Sequence, residues 1–207
     1  GTGSFGYVFK DSAETDGTGP TYDWTDIVSS GTQILCGAGQ TCTTDGSQGS
    51  FDIGFDFEFY GTSYDKWYNG GDNGYITFGG AVSNAWTPYA IPASQLGTTA
   101  IAAGWFDGGF CKSKNPSSGV YYQTVGDDGS RQLIIQMQDQ VYWSARDGTS
   151  YCNGGSAWAT NTLTWQIILN EGTNTIVLQY KDATGGSFYD NEYLTAGIQG
   201  IADGAQQ

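Results

Sequence analysis

The sequence contains no histidine. Histidine is the side chain most used as a general base near neutral pH, so Ser-His-Asp and Cys-His machinery is excluded. The P-loop, the dinucleotide fingerprint and the G-x-S-x-G elbow are also missing from any strand–turn–helix context. Positive charge is scarce: 7 Lys and Arg stand against 21 Asp and Glu, for a net charge of −14. Binding a phosphate backbone or an anionic bilayer requires a positive surface, so nucleic acid is not expected as a partner. No apolar run reaches membrane-spanning length, and membrane insertion is not expected. There is no C-x-x-C pair, and without histidine a zinc site would rest on thiolates at unsuitable spacings. No leader peptide precedes "GTGSFGYVFKDS", so a secreted protein would be seen here with its leader removed. Linkers, repeats and low-complexity tails are absent too, which leaves one domain over residues 1–207.

The chain is rich instead in aromatic residues and glycine. Seven Trp, 14 Tyr and 10 Phe supply ample core material and argue against disorder, so the 33 Gly read as turns between short strands. Several stretches alternate with the period of two that marks a half-buried strand. "SFGYVFK" sets Phe5, Tyr7 and Phe9 on one face. "FDIGFDFEFYG" does the same with Phe51, Ile53, Phe55, Phe57 and Phe59. "NGYITFG" reads as a short strand, and the continuous run "TTAIAAGWF" as a central strand buried on both faces. Two hairpins follow. In the first, Val120 and Tyr122 face inward with Leu133, Ile135 and Met137, around the turn "GDDGS". In the second, Leu163, Trp165, Ile167 and Leu169 face inward with Ile176, Leu178 and Tyr180. "YLTAGIQG" closes the set, and "IPASQLG" holds a short helical turn at most. The sum is an all-β fold, a two-sheet antiparallel β-sandwich of jelly-roll-like type.

Four cysteines allow three pairings. The local pair Cys36–Cys42 closes a small loop and leaves Cys111–Cys152 as a long staple. Disulfides point to an oxidising location: the cell surface, the periplasm or the medium outside the cell. Candidate chemistry is sparse. Asp56 with Glu58, and Asp190 with Glu192, are spaced i, i+2 as glycosidase carboxylates on one strand face could be, but such spacing also marks the solvated face of an amphipathic sheet. Enzyme activity is therefore not expected. Asp11, Glu14 and Asp16 fall within six residues in "KDSAETDG" and are the candidate ligands for calcium, a hard cation that prefers oxygen. Trp67, Trp86, Trp143 and Trp158 lie in or near loop-like stretches, with Tyr68, Tyr89 and Tyr151. They are candidates for stacking on sugar rings or for contacts between subunits.

The order of "GYVFKDSAETDGTGPTYDWTDI", "FDIGFDFEFYGTSYDKWYNGGDNGYITFG", "IAAGWFD", "GVYYQTVG", "LTWQIILNEGTNTIVLQYKD" and "AGIQGIADG" resembles a family of secreted bacterial and archaeal β-sandwich modules. These modules recur in cell-surface proteins and beside subtilisin-like secreted proteases. The resemblance spans residues 6–204 and implies an accessory, non-catalytic module of adhesive or structural character. Cysteine pairs are not typical of that family. Its members also run on into a further turn and strand where this sequence stops at "ADGAQQ". A sandwich lacking its closing strand leaves an open groove bordered by unpaired edge groups. Residues 1–10 would fill that groove in their own domain or in the next molecule, with Phe5, Tyr7 and Phe9 inserted. Insertion into a neighbour is head-to-tail and gives a homopolymer. The expectation is an extracellular, self-assembling fibre or pilus-like subunit. The alternative is a monomeric adhesive or carbohydrate-binding module with a polysaccharide partner.

Overall fold

Alternation along Gln48–Phe59 becomes a strand because it solves burial on one side and solvation on the other. Ile53, Phe55, Phe57 and Phe59 are buried, while Asp52, Gly54, Asp56 and Glu58 are exposed. In the computed structural model, which describes residues 6–143, 152, 162–182, 194–202 and 205–206, this strand edges the smaller of two sheets. The strands, in chain order, are β1 (Thr32–Leu35), β2 (Gln48–Phe59), β3 (Thr62–Asn69), β4 (Tyr75–Thr77), β5 (Ala100–Trp105), β6 (Gly108–Phe110) and β7 (Gly119–Val125). They continue with β8 (Gln132–Tyr142), β9 (Leu163–Asn170), β10 (Ile176–Asp182), β11 (Thr195–Gln199), and a short pair, β12 (Ile201–Ala202) and β13 (Ala205–Gln206). The five-stranded sheet runs β11-β5-β4-β3-β2, and the six-stranded sheet runs β1-β7-β8-β9-β10 with β6 also paired to β8. All pairings are antiparallel. The fold is the expected two-sheet antiparallel sandwich, in which β2 to β5 and β7 to β10 each run as neighbouring strands of one sheet.

One apolar cluster fills the space between the sheets. The β2 aromatics meet Leu133, Ile135, Met137, Leu163, Trp165, Ile167 and Leu169 from β8 and β9. Ile176 and Leu178 of β10 pack at its margin, as their period predicts. Tyr180 lies opposite Trp165 and is 36% exposed, and its hydroxyl donates across to the Ala103 carbonyl of β5. The expected burial of β5 on both faces is seen: Ile101 and Ala103 point into the main core. Ala100, Ala102 and Trp105 enter a second cluster with Tyr75, Ala85, Ala93 and Leu96. Ser94–Leu96 forms a single 3-10 turn within "IPASQLG".

β3 departs from expectation. Its sequence, TSYDKWYN, buries only Trp67 and Asn69 fully, so it carries almost no apolar alternation. It is a strand because β2 and β4 pair with it on either side. Both disulfides form as expected, Cys36–Cys42 and Cys111–Cys152, with Cα atoms 4.1 and 5.7 Å apart.

The outer face of the larger sheet is covered by a strap of irregular chain, residues 23–27, and buried glutamines hold it there. Gln136, Gln166 and Gln179 lie in register across β8, β9 and β10. Gln179 Nε2 donates to Gln166 Oε1 at 2.9 Å, and Gln166 Nε2 donates to Gln136 Oε1 at 2.8 Å. The same amides reach the strap backbone: Gln179 Nε2 to Asp23 O, Gln166 Nε2 to Thr25 O, and Ile27 N–H to Gln136 Oε1. Ile27 then packs on Tyr121, Ile134 and Ile168. A glutamine offers one acceptor and two donors, so it can satisfy strap and neighbour together. On the other sheet Gln199 does likewise, accepting Ala93 N–H and donating to Ala93 O and Gly97 O.

Gln136→Leu removes the partners of Ile27 N–H and of Gln166 while keeping an apolar stem. It is expected to cost about 2–4 kcal/mol in denaturant unfolding, because buried polar groups lose their bonds. Hydrogen exchange at Ile27 should accelerate while β8–β9 ladder amides stay protected. Unchanged exchange at Ile27 would refute the strap's dependence on this ladder.

Candidate functional site

The turn between β3 and β4, "GGDNG", is pressed against the chain on two sides. A Cβ on Gly71 would lie 2.0 Å from Thr44 O, and one on Gly74 would lie 1.8 Å from Gly104 O. Both glycines also have positive φ, so no other residue fits without moving backbone. The tight turn carries Asp72 into the interior. Its carboxylate Oδ2 accepts Thr44 N–H at 3.0 Å, and its own N–H donates to Thr44 O at 3.1 Å. Its carbonyl accepts Gln140 Nε2 at 2.7 Å. The other carboxylate oxygen, Oδ1, is buried without a hydrogen-bond partner, and the residue is 2% exposed.

A cleft of about 340 Å³ opens above this turn, lined by Thr44, Asp45, Asp72, Trp86, Asp107 and Trp143 among others. Asp45 and Asp107 are half-buried. Asp45 Oδ1 accepts Asn73 Nδ2 at 3.1 Å, and its carbonyl accepts Asn84 N–H, which fixes the start of the segment that bears Trp86. Trp105 Nε1 donates to Ala85 O at 2.7 Å and pins the residue just before Trp86. On the other side Trp143 N–H donates to Asp107 O at 3.0 Å. Trp86 and Trp143 are 42% and 41% exposed. Burial pushes the Asp72 carboxyl up to about 8. The charges of Asp45 and Asp107 act in the same direction, and the Thr44 N–H bond opposes them. At neutral pH the floor of the cleft therefore holds a protonated acid.

The structure brings together two of the sequence-predicted tryptophans, Trp86 and Trp143. It removes Trp67, which lies in β3 and is fully buried against Phe51 and Tyr122, so it is no loop residue and presents no face to a ligand. Trp158, Tyr151, Phe5, Asp190 and Glu192 lie outside the described residues. Asp56 and Glu58 are exposed on the solvated side of β2. Asp11, Glu14 and Asp16 are exposed and serve local turns: Asp11 Oδ1 accepts Ala13 N–H, and Asp16 Oδ1 accepts Thr18 N–H and hydroxyl. Those bonds to Thr18 lower the Asp16 pKa. Among the described residues no group of three His, Cys, Asp or Glu side chains is placed to hold a metal ion. Tyr7 packs into its own domain, its ring 4.9 Å from that of Tyr60 and 5.9 Å from that of Phe59. Its hydroxyl accepts Tyr60 N–H at 3.4 Å. Phe9, two residues on, is 66% exposed.

Sequence reasoning missed Asp45, Asp72 and Asp107. Asp45 sits in a stretch that reads as an ordinary turn, and Asp107 follows the apolar run of β5. The available signal was the glycines that flank Asp72–Asn73, Gly70 and Gly71 before and Gly74 after, which mark close backbone approach.

Two antiparallel sheets, two disulfides and a cleft at one loop cluster define a disulfide-bonded β-sandwich domain. No helix among the described residues is long and apolar enough to cross a membrane. The chain belongs to the NIDO-related family, whose profile matches residues 15–207. No curated protein and no solved structure shows significant similarity to it.

The raised Asp72 pKa makes stability depend on pH. Unfolded, the group ionises near its ordinary 3.8, whereas folded it holds its proton to about 8. Stability is complete below the unfolded pKa and is lost as pH rises through the folded one, with a slope near 1.4 kcal/mol per pH unit between them. Urea unfolding at about pH 5 and about pH 8 should show this loss, and Asp72→Asn should reduce it. Equal pH slopes for the two proteins would refute the assignment.

Proposed function

We propose that the protein is a non-catalytic, extracellular binding module that holds a saccharide in the cleft between strand ends. The observation that carries this reading is that two exposed tryptophans line one cleft above a buried acidic floor. Aromatic faces match the apolar faces of sugar rings, and tryptophan loses little entropy on binding. Two disulfides suit an oxidising location. The resemblance to secreted bacterial and archaeal cell-surface modules points the same way. Retention rather than turnover is favoured by the lack of histidine and by the burial of Asp72, which is 2% exposed.

A second reading is self-assembly through the N-terminal segment. Val8 and Phe9 are 62% and 66% exposed beside the edge where Tyr7 is seated. Two adjacent exposed apolar residues on extended chain suit pairing with a second copy. Exchange would require Tyr7 to leave its own domain.

Trp86→Ala and Trp143→Ala should each weaken saturable polysaccharide binding by about tenfold or more, as loss of a central aromatic anchor does. Both side chains are exposed, so the melting midpoint should hold. A glycan array without saturable binding would sink the saccharide reading, and release of free sugar from bound polymer would overturn its non-catalytic part. For self-assembly, electron microscopy of the native protein should show filaments that Phe9→Ser abolishes. Dispersed monomers at all concentrations would eliminate that reading.

A further inference from the structure

The outer face of the smaller sheet is covered by a second strap, residues 82–93, whose two sides differ. Its underside is apolar: Ala85 and Ala93 are buried in the cluster around Trp105, and Val82 and Ile91 pack against that cluster. Its backbone is tied down along its length. Tyr75 Oη donates to Val82 O at 3.1 Å and Trp105 Nε1 to Ala85 O at 2.7 Å. Further on, Thr195 Oγ1 donates to Tyr89 O at 3.0 Å and Gln199 Nε2 to Ala93 O at 3.1 Å. The aromatic side chains of the strap, Trp86 and Tyr89, stay 42% and 50% exposed.

Trp86 lines the cleft together with Trp143, whereas Tyr89 lies beyond that lining, farther along the strap. The Tyr89 ring sits 6.4 Å from the buried Trp105 ring, yet half of the residue remains open to solvent, so sealing the core uses only part of it. Trp86 and Tyr89 are three positions apart, which keeps their Cα atoms within about 11 Å of each other. Pro88, between them, has a fixed φ that narrows the range of that spacing. A ligand confined to the cleft would not meet Tyr89. A ligand that runs out of the cleft along the strap would.

We infer that Tyr89 is a further sugar-stacking residue, and that the site takes an extended stretch of β-1,4-linked polysaccharide rather than a short sugar held in the cleft alone. The inference rests on the saccharide reading above and lengthens its site. Chains joined through equatorial β-1,4 bonds are ribbon-like and present apolar ring faces at regular intervals. Such faces meet aromatic side chains well, and tyrosine and tryptophan lose little freedom on contact. The ties on the strap fix both residues before a ligand arrives, which limits the ordering cost of binding.

The test titrates cellohexaose and cellobiose calorimetrically into the full chain. Both probes are uncharged, because a net charge of −14 opposes anionic chains. Cellohexaose should bind about tenfold or more tightly, the scale of one further aromatic anchor. Tyr89→Ala should erase that advantage and leave cellobiose affinity unchanged, while Tyr89→Phe should keep it. Trp86→Ala should weaken both. Loss of affinity for both oligomers alike in Tyr89→Ala would overturn the assignment, since Trp105 also holds Ala85 beside Trp86 and a mere cap on Trp105 would act that way. A length advantage that survives Tyr89→Ala would overturn it too. Equal affinity of the unaltered protein for the two oligomers would overturn the extended site and leave the saccharide reading standing. Binding of neither would overturn the inference, and the glycan array then decides the saccharide reading on its own.

Discussion

Buried glutamine amides determine how this sandwich covers itself. A two-sheet fold hides one face of each sheet in the shared core and must still cover the outer faces with irregular chain. Irregular chain brings backbone N–H and C=O groups that need partners once water is excluded. Gln136, Gln166 and Gln179 supply those partners on one sheet, and Gln199 supplies them on the other. In effect the side chains act as a further ladder perpendicular to the strands. An apolar residue at any of these positions would bury as well, but it would leave the strap with unpaired polar groups. The stability of the outer layers is thus tied to polar side chains as well as to the apolar clusters around Ile27 and Trp105.

The same device organises the cleft. Gln140 accepts Trp165 Nε1 at 3.0 Å and donates to Asp72 O, so the core indole and the turn beneath the cleft share one amide. Gly71, Gly74 and Gly108 let the backbone close around that turn, with a Gly108 Cβ position 2.2 Å from Asp72 O. Close packing is what desolvates Asp72, and desolvation is the main cause of its raised pKa. Far from the cleft, Arg131 clamps Glu171 across two hairpin turns, its Nε donating to Glu171 Oε2 at 2.9 Å. That pairing holds the Glu171 carboxyl down at about 2, the reverse of Asp72, whose carboxyl is pushed up chiefly by burial.

Much of the fold was legible because period-two alternation is local information. β2, β7, β8 and β9 place their inward residues as the pattern predicts, and β5 reads as doubly buried from composition alone. β3 was illegible because its strand state is conferred by two neighbours and not by its own residues. Trp67 was misplaced for the same reason. The straps were illegible because glutamine in a strand looks like a solvent-facing residue until the register of three strands is known. The cleft was half legible: Trp86 and Trp143 stand out as aromatics in loops, but their convergence with Asp45, Asp72 and Asp107 depends on contacts between segments far apart in the chain. The putting together of those segments is a property of topology, which no single stretch encodes.

Rigid floor and exposed rim have different tolerances for change. Gly71, Gly74 and Asp72 are constrained by backbone contact on every side, so replacement there alters folding before it alters recognition. Trp86 and Trp143 stand at the surface and contribute little to the core. On the saccharide-binding reading proposed above, the rim residues, and with them the ligand, can be exchanged while the framework beneath stays the same.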